Sequence, residues 1–377
     1  MHTDRPLPLL GGLAPAQFMS RHWQRKPLLI RQAVADMRAL VPRARLLELA
    51  GEEHVESRLV VQEPGGRWRL QHGPFARRAL PPRNRPGWTL LVQGMDLHDA
   101  AVHRLMGQFR FVPEARLDDV MISYATDGGG VGPHFDSYDV FLLQAEGRRR
   151  WRIGRQHDLS LQPDVPLKIL AHFEAEEEWV LEPGDMLYLP PRWAHDGIAE
   201  GECQTYSIGF RSPARGELAR ELLQRIAEDA PDEAGEALYR DPRQAATETP
   251  AAVPAEMLRF AREAVATALR DPQLLDRALG EYLSEPKPNV WFEPPDQPLP
   301  LGALQLDART RMLYDERHVY INGESWRAAG RDARLMRRLA DRRGLAAREV
   351  AGASEDARAL LMSWCEAGWV HTTDETP

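Results

Sequence analysis

The chain has 377 residues, 43% of them hydrophobic and 28% charged, with a formal net charge of −8. This is the composition of an ordinary globular protein with room for two or three domains, and the acidic balance argues against a whole-chain nucleic-acid footprint, so no DNA partner is expected. The two distant cysteines, Cys203 and Cys365, exclude a disulfide framework or a CxxC zinc site; with no evident signal peptide and no bilayer-length apolar run, the expectation is a cytoplasmic protein away from membranes.

Residues 1–90 combine a helix predicted from Ala14 to Gln24 with the strand-like runs LLIRQ, RLVVQ and RWRLQ, bounded by Pro and Gly. They read as N-terminal α/β elements that support the strand-rich region beyond residue 90. A second helix is predicted from the 3.6-residue spacing of Leu97, Ala101, Leu105 and Met106.

From Val120 to about Arg211 short strands alternate with turns: DVMISYAT, DGGGVGP, DVFLLQAEG, RRRWRIG, then EEWVLEPGDMLYLPPRWAHDGIA and CQTYSIGF. Many short strands at close spacing predict a sandwich or barrel of jelly-roll type, which assigns residues 91–212 to one catalytic domain. Residues 213–290 read as helical, with amphipathic ELARELLQRIAE and EMLRFAREAVATALRD separated by a Pro/Ala/Thr-rich loop. A Pro-rich linker, SEPKPNVWFEPPDQPLP, leads into residues 300–377. There the order of strand, two helices and terminal strand resembles a winged helix. The expected fold is α+β.

His134, Asp136 and His195 form a pattern that carries chemistry. Residues i and i+2 of a strand point to one face, so His134 and Asp136 can meet one ion, with Tyr138 continuing that face. His195 follows the run GDMLYLPP, a strand closed by Pro-Pro. Two imidazoles and a carboxylate on one face of a metal leave the other face open, which is the ligand set of a mononuclear Fe(II) oxygenase. His157 and His172 fall in polar connecting sequence and read as solvated.

An iron that also binds 2-oxoglutarate and O2 needs a cation for the far carboxylate of that cosubstrate, and arginine suits it best. Three arginines, Arg148, Arg149 and Arg150, follow the HxD run. Arg149 shares its strand parity with apolar Trp151 and Ile153, whereas Arg148 and Arg150 share theirs with Arg152. Parity therefore aims Arg149 inward, provided no bulge intervenes.

The runs MISYATDGGGVGPHFDSYDVFLLQAEGRRRWRIG and LEPGDMLYLPPRWAHDG resemble the bacterial JmjC-type ribosomal oxygenases, and within them the arginine hydroxylases of a large-subunit ribosomal protein. The match covers roughly residues 90–215. One departure is Arg192, where cupin-type jelly rolls carry a glycine two residues after the proline. The resemblance implies a double-stranded β-helix core, iron on His134, Asp136 and His195, cosubstrate contacts from Arg149 and from Ser123, hydroxylation of an arginine β-carbon, and a homodimer formed by the helical region. A guanidinium pocket needs carboxylates and aromatic faces, for which Asp127, Tyr138 and Asp139 flank the site in sequence. Two other enzyme readings share the iron ligands: a ribosomal histidine hydroxylase, and a cupin acting on a small molecule, which has no need of Arg149. A metal-stabilised binding module is the non-enzymatic alternative.

Overall fold

The computed structural model describes residues 2–63, 65–296 and 300–373, apart from the side chain of Asp232. The end of the Pro-rich run, 297–299, lies outside them. The chain divides into two compact units, 1–212 and 213–377.

In the first unit, helix α1 (Pro15–Arg21) starts with a proline at its first turn, and the Gln17 side chain accepts the Ala14 N–H. Helices α2 (Arg43–Leu49) and α3 (Ala100–Gly107) follow; Asp99 caps α3 by accepting the N–H groups of Ala101 and Val102. Among the described residues nine strands form one antiparallel system: β1 (Leu28–Ile30), β2 (Ser57–Glu63), β3 (Arg67–His72), β4 (Trp88–Val92), β5 (Leu117–Ala125), β6 (Val140–Gly154), β7 (Glu177–Leu181), β8 (Met186–Leu189) and β9 (Ala194–Phe210). Their order is β1-β8-β6-β9-β5-β4-β2-β3, with β7 added to β6.

The long strands β6 and β9 run side by side and serve both halves of a cupin-type β-sandwich. β6 pairs with β8 over Val140–Leu143 and with β7 over Arg149–Ile153. Between these stretches its register against β9 shifts twice, between Gln144 and Arg148. Gly147 sits at this irregularity with φ +63°, and a Cβ there would lie 2.1 Å from the Glu202 carbonyl oxygen. Only glycine meets both conditions.

The start of β6 and β8 are buried on both faces. Phe141, Leu143, Met186 and Tyr188 join Phe18 of α1 in the main core, while Val140, Leu142, Leu187 and Leu189 join Trp151, Ile153 and Leu181 in a second cluster. Burial on both faces accounts for the uninterrupted apolar runs VFLL and MLYL.

In the second unit, α4 (Arg215–Ala234) packs on α6 (Pro272–Ser284) through Leu222, Ile226, Leu274 and Ala278, with α5 (Ala255–Ala268) alongside α4. Strands β10 (Ala303–Leu306), β11 (Met312–Tyr314), β12 (His318–Ile321) and β13 (Glu324–Arg327) precede α7 (Gly330–Arg342), β14 (Gly344–Leu345), α8 (Ala347–Ala351), α9 (Glu355–Glu366) and β15 (Val370–Thr373). They make two three-stranded sheets, β14-β10-β15 and β11-β12-β13. The core of this winged-helix part is built on Leu304, Ile321, Leu335, Leu339, Leu361 and Trp364. α6 is bonded to it: Ser325 donates to Glu281 at 2.6 Å, and the Gly323 N–H donates to Ser284 at 3.2 Å.

The arginine-rich run 331–348 is largely engaged within this unit. Arg337 donates to the carbonyls of Asp315 and Glu316, Arg338 and Arg342 pair with Glu349, and Arg343 donates to the carbonyls of Asp307 and Thr310. Among the described residues no helix is long and apolar enough to cross a membrane.

Candidate metal centre and cosubstrate pocket

His134 and His195 are joined by their backbones. The His134 N–H donates to the His195 carbonyl at 3.0 Å, and the His195 N–H to the His134 carbonyl at 2.8 Å. This bridge places their ring centroids 4.3 Å apart. Asp136 brings a carboxylate oxygen to 3.7 Å from His195 Nε2, and one ligand atom from each of the three residues lies within 4.8 Å of the others. Among the described residues this is the one such group of metal-ligating side chains.

The tautomers suit a metal. His134 Nδ1 lies 2.9 Å from the Gly132 carbonyl and His195 Nδ1 lies 3.0 Å from the Trp193 carbonyl. A carbonyl oxygen can only accept, so each Nδ1 carries the proton and each Nε2 keeps its lone pair for an ion. His195 is buried, and burial together with the neighbouring His134 ring holds it at about 4 against the opposing pull of Asp136. It is neutral at neutral pH, the state a ligand requires.

The expected strand through His134, Asp136 and Tyr138 is not regular. His134 makes a single bridge, residues 135–139 are irregular with a bend at 137–138, and β6 begins only at Val140. Arg192 ties the bend: it donates its N–H to the Asp136 carbonyl at 2.8 Å and adopts φ +67°, the left-handed conformation that glycine usually supplies. The departure from the cupin pattern thus leaves the turn intact.

Arg149 points inward. It is 5% exposed on β6 beyond the register shifts, and its Nη1 donates to Ser123 Oγ at 3.1 Å. Its neighbours point outward and are paired, Arg148 and Arg150 with Glu200 and Arg152 with Asp196. Arg149 Nε and Nη2 are buried with no partner among the described residues. A buried cation left half-satisfied costs several kcal/mol, so this pocket is shaped for an anion, and two free guanidinium N–H groups match a carboxylate.

Trp151 lies between the two halves of the site. Its ring centroid is 5.8 Å from that of His195 and 5.7 Å from the Arg149 guanidinium carbon. Gly197 makes room for it, since a Cβ there would be 2.6 Å from the indole. The Trp151 Nε1–H is also buried without a partner among the described residues. Sequence reasoning used Trp151 only as an apolar marker, although its shared parity with Arg149 already placed it on the inner face.

The residues expected in a substrate pocket are scattered. Tyr138 is 41% exposed; burial and then the charge of Asp136 push its ionisation up. Asp127 is a turn residue: its carboxylate accepts the Gly201 N–H and its carbonyl the Gly87 N–H. Asp139 is fully buried and accepts from Tyr188, Gln24 and Arg116. Asp139 follows Tyr138 in sequence, but the irregular stretch after His134 turns it into the core.

A family model for the JmjC domain matches residues 104–218, and one for a ROXA-like winged helix matches residues 267–371. The ribosomal protein uL16 3-hydroxylase of Escherichia coli (strain K12) is 34% identical over 366 residues, spanning 92% of this chain and 93% of that one. A probable ribosomal oxygenase of Haemophilus influenzae is 35% identical over 226 residues, 58% of this chain and 55% of its own. Among solved structures, an X-ray structure of Escherichia coli YcfD superposes with a TM-score of 0.82 at 31% identity, covering 94% of this chain and 97% of that one. A structure of the same ribosomal oxygenase in complex with cobalt and 2-oxoglutarate gives 0.79 at 32% identity, with the same coverage.

Proposed function

The chain belongs to the JmjC ribosomal oxygenases, and from that premise we propose that it is an Fe(II)- and 2-oxoglutarate-dependent oxygenase that hydroxylates the β-carbon of an arginine in a large-subunit ribosomal protein. The observation that carries the cosubstrate is Arg149, buried beside Ser123 with two guanidinium N–H groups unpaired among the described residues. A small-molecule cupin without 2-oxoglutarate leaves that cation without a task. The relative that spans nearly the whole chain is a hydroxylase of ribosomal protein uL16, which favours a protein substrate.

His134, Asp136 and His195 would hold the iron through Nε2, a carboxylate oxygen and Nε2, with Asp136 supplying the negative charge. Arg149 and Ser123 would fix the far carboxylate of 2-oxoglutarate, and Trp151 would line the path between that carboxylate and the metal. When bound, iron and cosubstrate together supply the oxidising power that places one atom of O2 on an unactivated carbon. What the chain contributes is placement: a fixed ligand face, a fixed cosubstrate and a target side chain held at the open side. Of the three residues expected around the target guanidinium, Tyr138 is the one beside a metal ligand, and its ring would flank the substrate side chain.

The helical region carries exposed apolar side chains, Leu223 of α4 and Met257, Leu258 and Val265 of α5. An amphipathic pair with that much apolar surface in water fits a homodimer, the assembly proposed for this protein in the cytoplasm. The enzymatic reading is tested by measuring succinate formation with Fe(II), 2-oxoglutarate and large-subunit ribosomal proteins. If no ribosomal protein stimulates turnover, the reading fails.

A further inference from the structure

From residue 64 to residue 95 the chain has no acidic side chain but six arginines: Arg67, Arg69, Arg77, Arg78, Arg83 and Arg85. In a protein of net charge −8 this is a local reversal of sign. The fold gathers it on one side of the sandwich. β3 is the edge strand, and Arg69 and Gln71 pair with Val61 and Leu59. Cross-strand partners point to the same face, and Leu59 and Val61 belong to the main core together with Phe75 and Trp88.

The segment 73–87 returns over that same face. It is anchored by Phe75 and Leu80 in the core and by the Trp88 indole N–H on the Pro82 carbonyl. Its arginines are left on the outside. Arg77, Arg78 and Arg83 are exposed and Arg85 half-buried. Arg77, Arg78 and Arg85 have no side-chain partner among the described residues. Arg67 and Arg69 pair with Glu63 and Arg83 with Glu202, yet the three keep 80%, 41% and 69% of their side-chain surface in water.

This basic strap adjoins the approach to the metal centre. The Gly87 N–H at the end of the strap donates to the Asp127 carbonyl at the start of the glycine-rich loop that leads to His134; Trp68, whose ring lies against Gly132, is on the face of β3 opposite Arg67 and Arg69. We propose that residues 67–85 form a phosphate-binding surface for structured RNA, so that the enzyme engages its ribosomal protein together with RNA bound to that protein. This deepens the reading of the site and rests on its ribosomal substrate. The guanidinium groups of Arg77, Arg78 and Arg85, without a side-chain partner among the described residues, match the closely spaced phosphates of a folded RNA. Beyond the Glu63 and Glu202 contacts, the acidic remainder of the chain does little to oppose it, because charges farther than about 8 Å are screened at physiological salt.

The test uses the whole protein and a fluorescent hairpin of ribosomal RNA, with anisotropy read from low to physiological salt and with unlabelled RNA or polyglutamate as competitor. The parent should bind, with log Kd rising against log salt with a slope of ~3 to 4. Arg77→Glu/Arg78→Glu/Arg85→Glu should weaken binding at least tenfold and lower that slope by ~2, while 2-oxoglutarate turnover with a short ribosomal-protein peptide stays at the parent level. Equal RNA affinity in parent and variant overturns the proposal. So does displacement by polyglutamate as effective as by RNA, which marks an acidic-protein surface instead. A parent that binds RNA but turns over no ribosomal protein or peptide sinks the hydroxylase reading and leaves the RNA surface standing.

Discussion

Arg149 Nη1 rests 3.1 Å from Ser123 Oγ, joining β6 to β5, the two strands that flank β9 and do not pair with each other. The two residues are 26 positions apart in the chain. Their contact holds the guanidinium so that its remaining buried N–H groups stay open to an anion.

Replacing Arg149 with Ala removes a charge-assisted pair worth roughly 1.5–3 kcal/mol. The concentration of 2-oxoglutarate for half-maximal succinate formation should therefore rise about ten- to hundredfold. Ser123→Ala, which removes one neutral partner, should raise it about fivefold. An unchanged requirement in Arg149→Ala would mean that the cosubstrate carboxylate sits elsewhere.

The ligand set can be tested without turnover. Titrating Co(II) into the purified protein and following its visible absorption should give one ion per chain. Asp136→Ala and His195→Ala should lose that stoichiometric signal while keeping the parent's circular dichroism. A variant that still takes up one ion with the parent spectrum would remove that residue from the proposed ligand set.

Gly147→Ala should be among the most damaging small changes in the first unit. It forces a methyl group into the Glu202 carbonyl and places alanine at φ +63°. A loss of about 2–4 kcal/mol is expected, read as a lower midpoint in urea with an unchanged slope.

The winged-helix part carries its own pH signature. Burial alone would raise the Asp307 carboxyl, but the Arg309 fork and His371 override it and hold it at about 2. A carboxyl depressed in the folded state stabilises above its unfolded value and loses that contribution as pH falls through the folded one. The contribution, about 2 kcal/mol, should be complete above about pH 4 and fade toward pH 2. Asp307→Asn should flatten the stability of this unit over that window in acid titrations of its unfolding.

The legible parts of the fold were those governed by periodicity. Arg149 could be placed inward because β6 is regular from Arg148 onward, so alternation holds where it was applied. Alternation does not extend to the stretch before β6: His134 makes only a bridge and the chain is irregular through 135–139, with Asp139 in the core and Tyr138 exposed. Asp127 opens a glycine-rich turn, and its carboxylate accepts the Gly201 N–H, a contact that strand alternation does not report. Ser123 came from resemblance alone. Its contact with Arg149 joins two strands separated in the sheet, and no local pattern encodes such a contact. The bonding of α6 to the strands beyond residue 300 was likewise invisible to periodicity, which reports an apolar face but not what covers it.

The most direct measurement is mass spectrometry of large-subunit ribosomal proteins from cells with and without this chain. The account predicts one arginine carrying one added oxygen atom, assigned by fragmentation to its β-carbon, present with the parent protein and absent with Asp136→Ala. Modification confined to a histidine, or ribosomal proteins identical in mass with and without the chain, would contradict it.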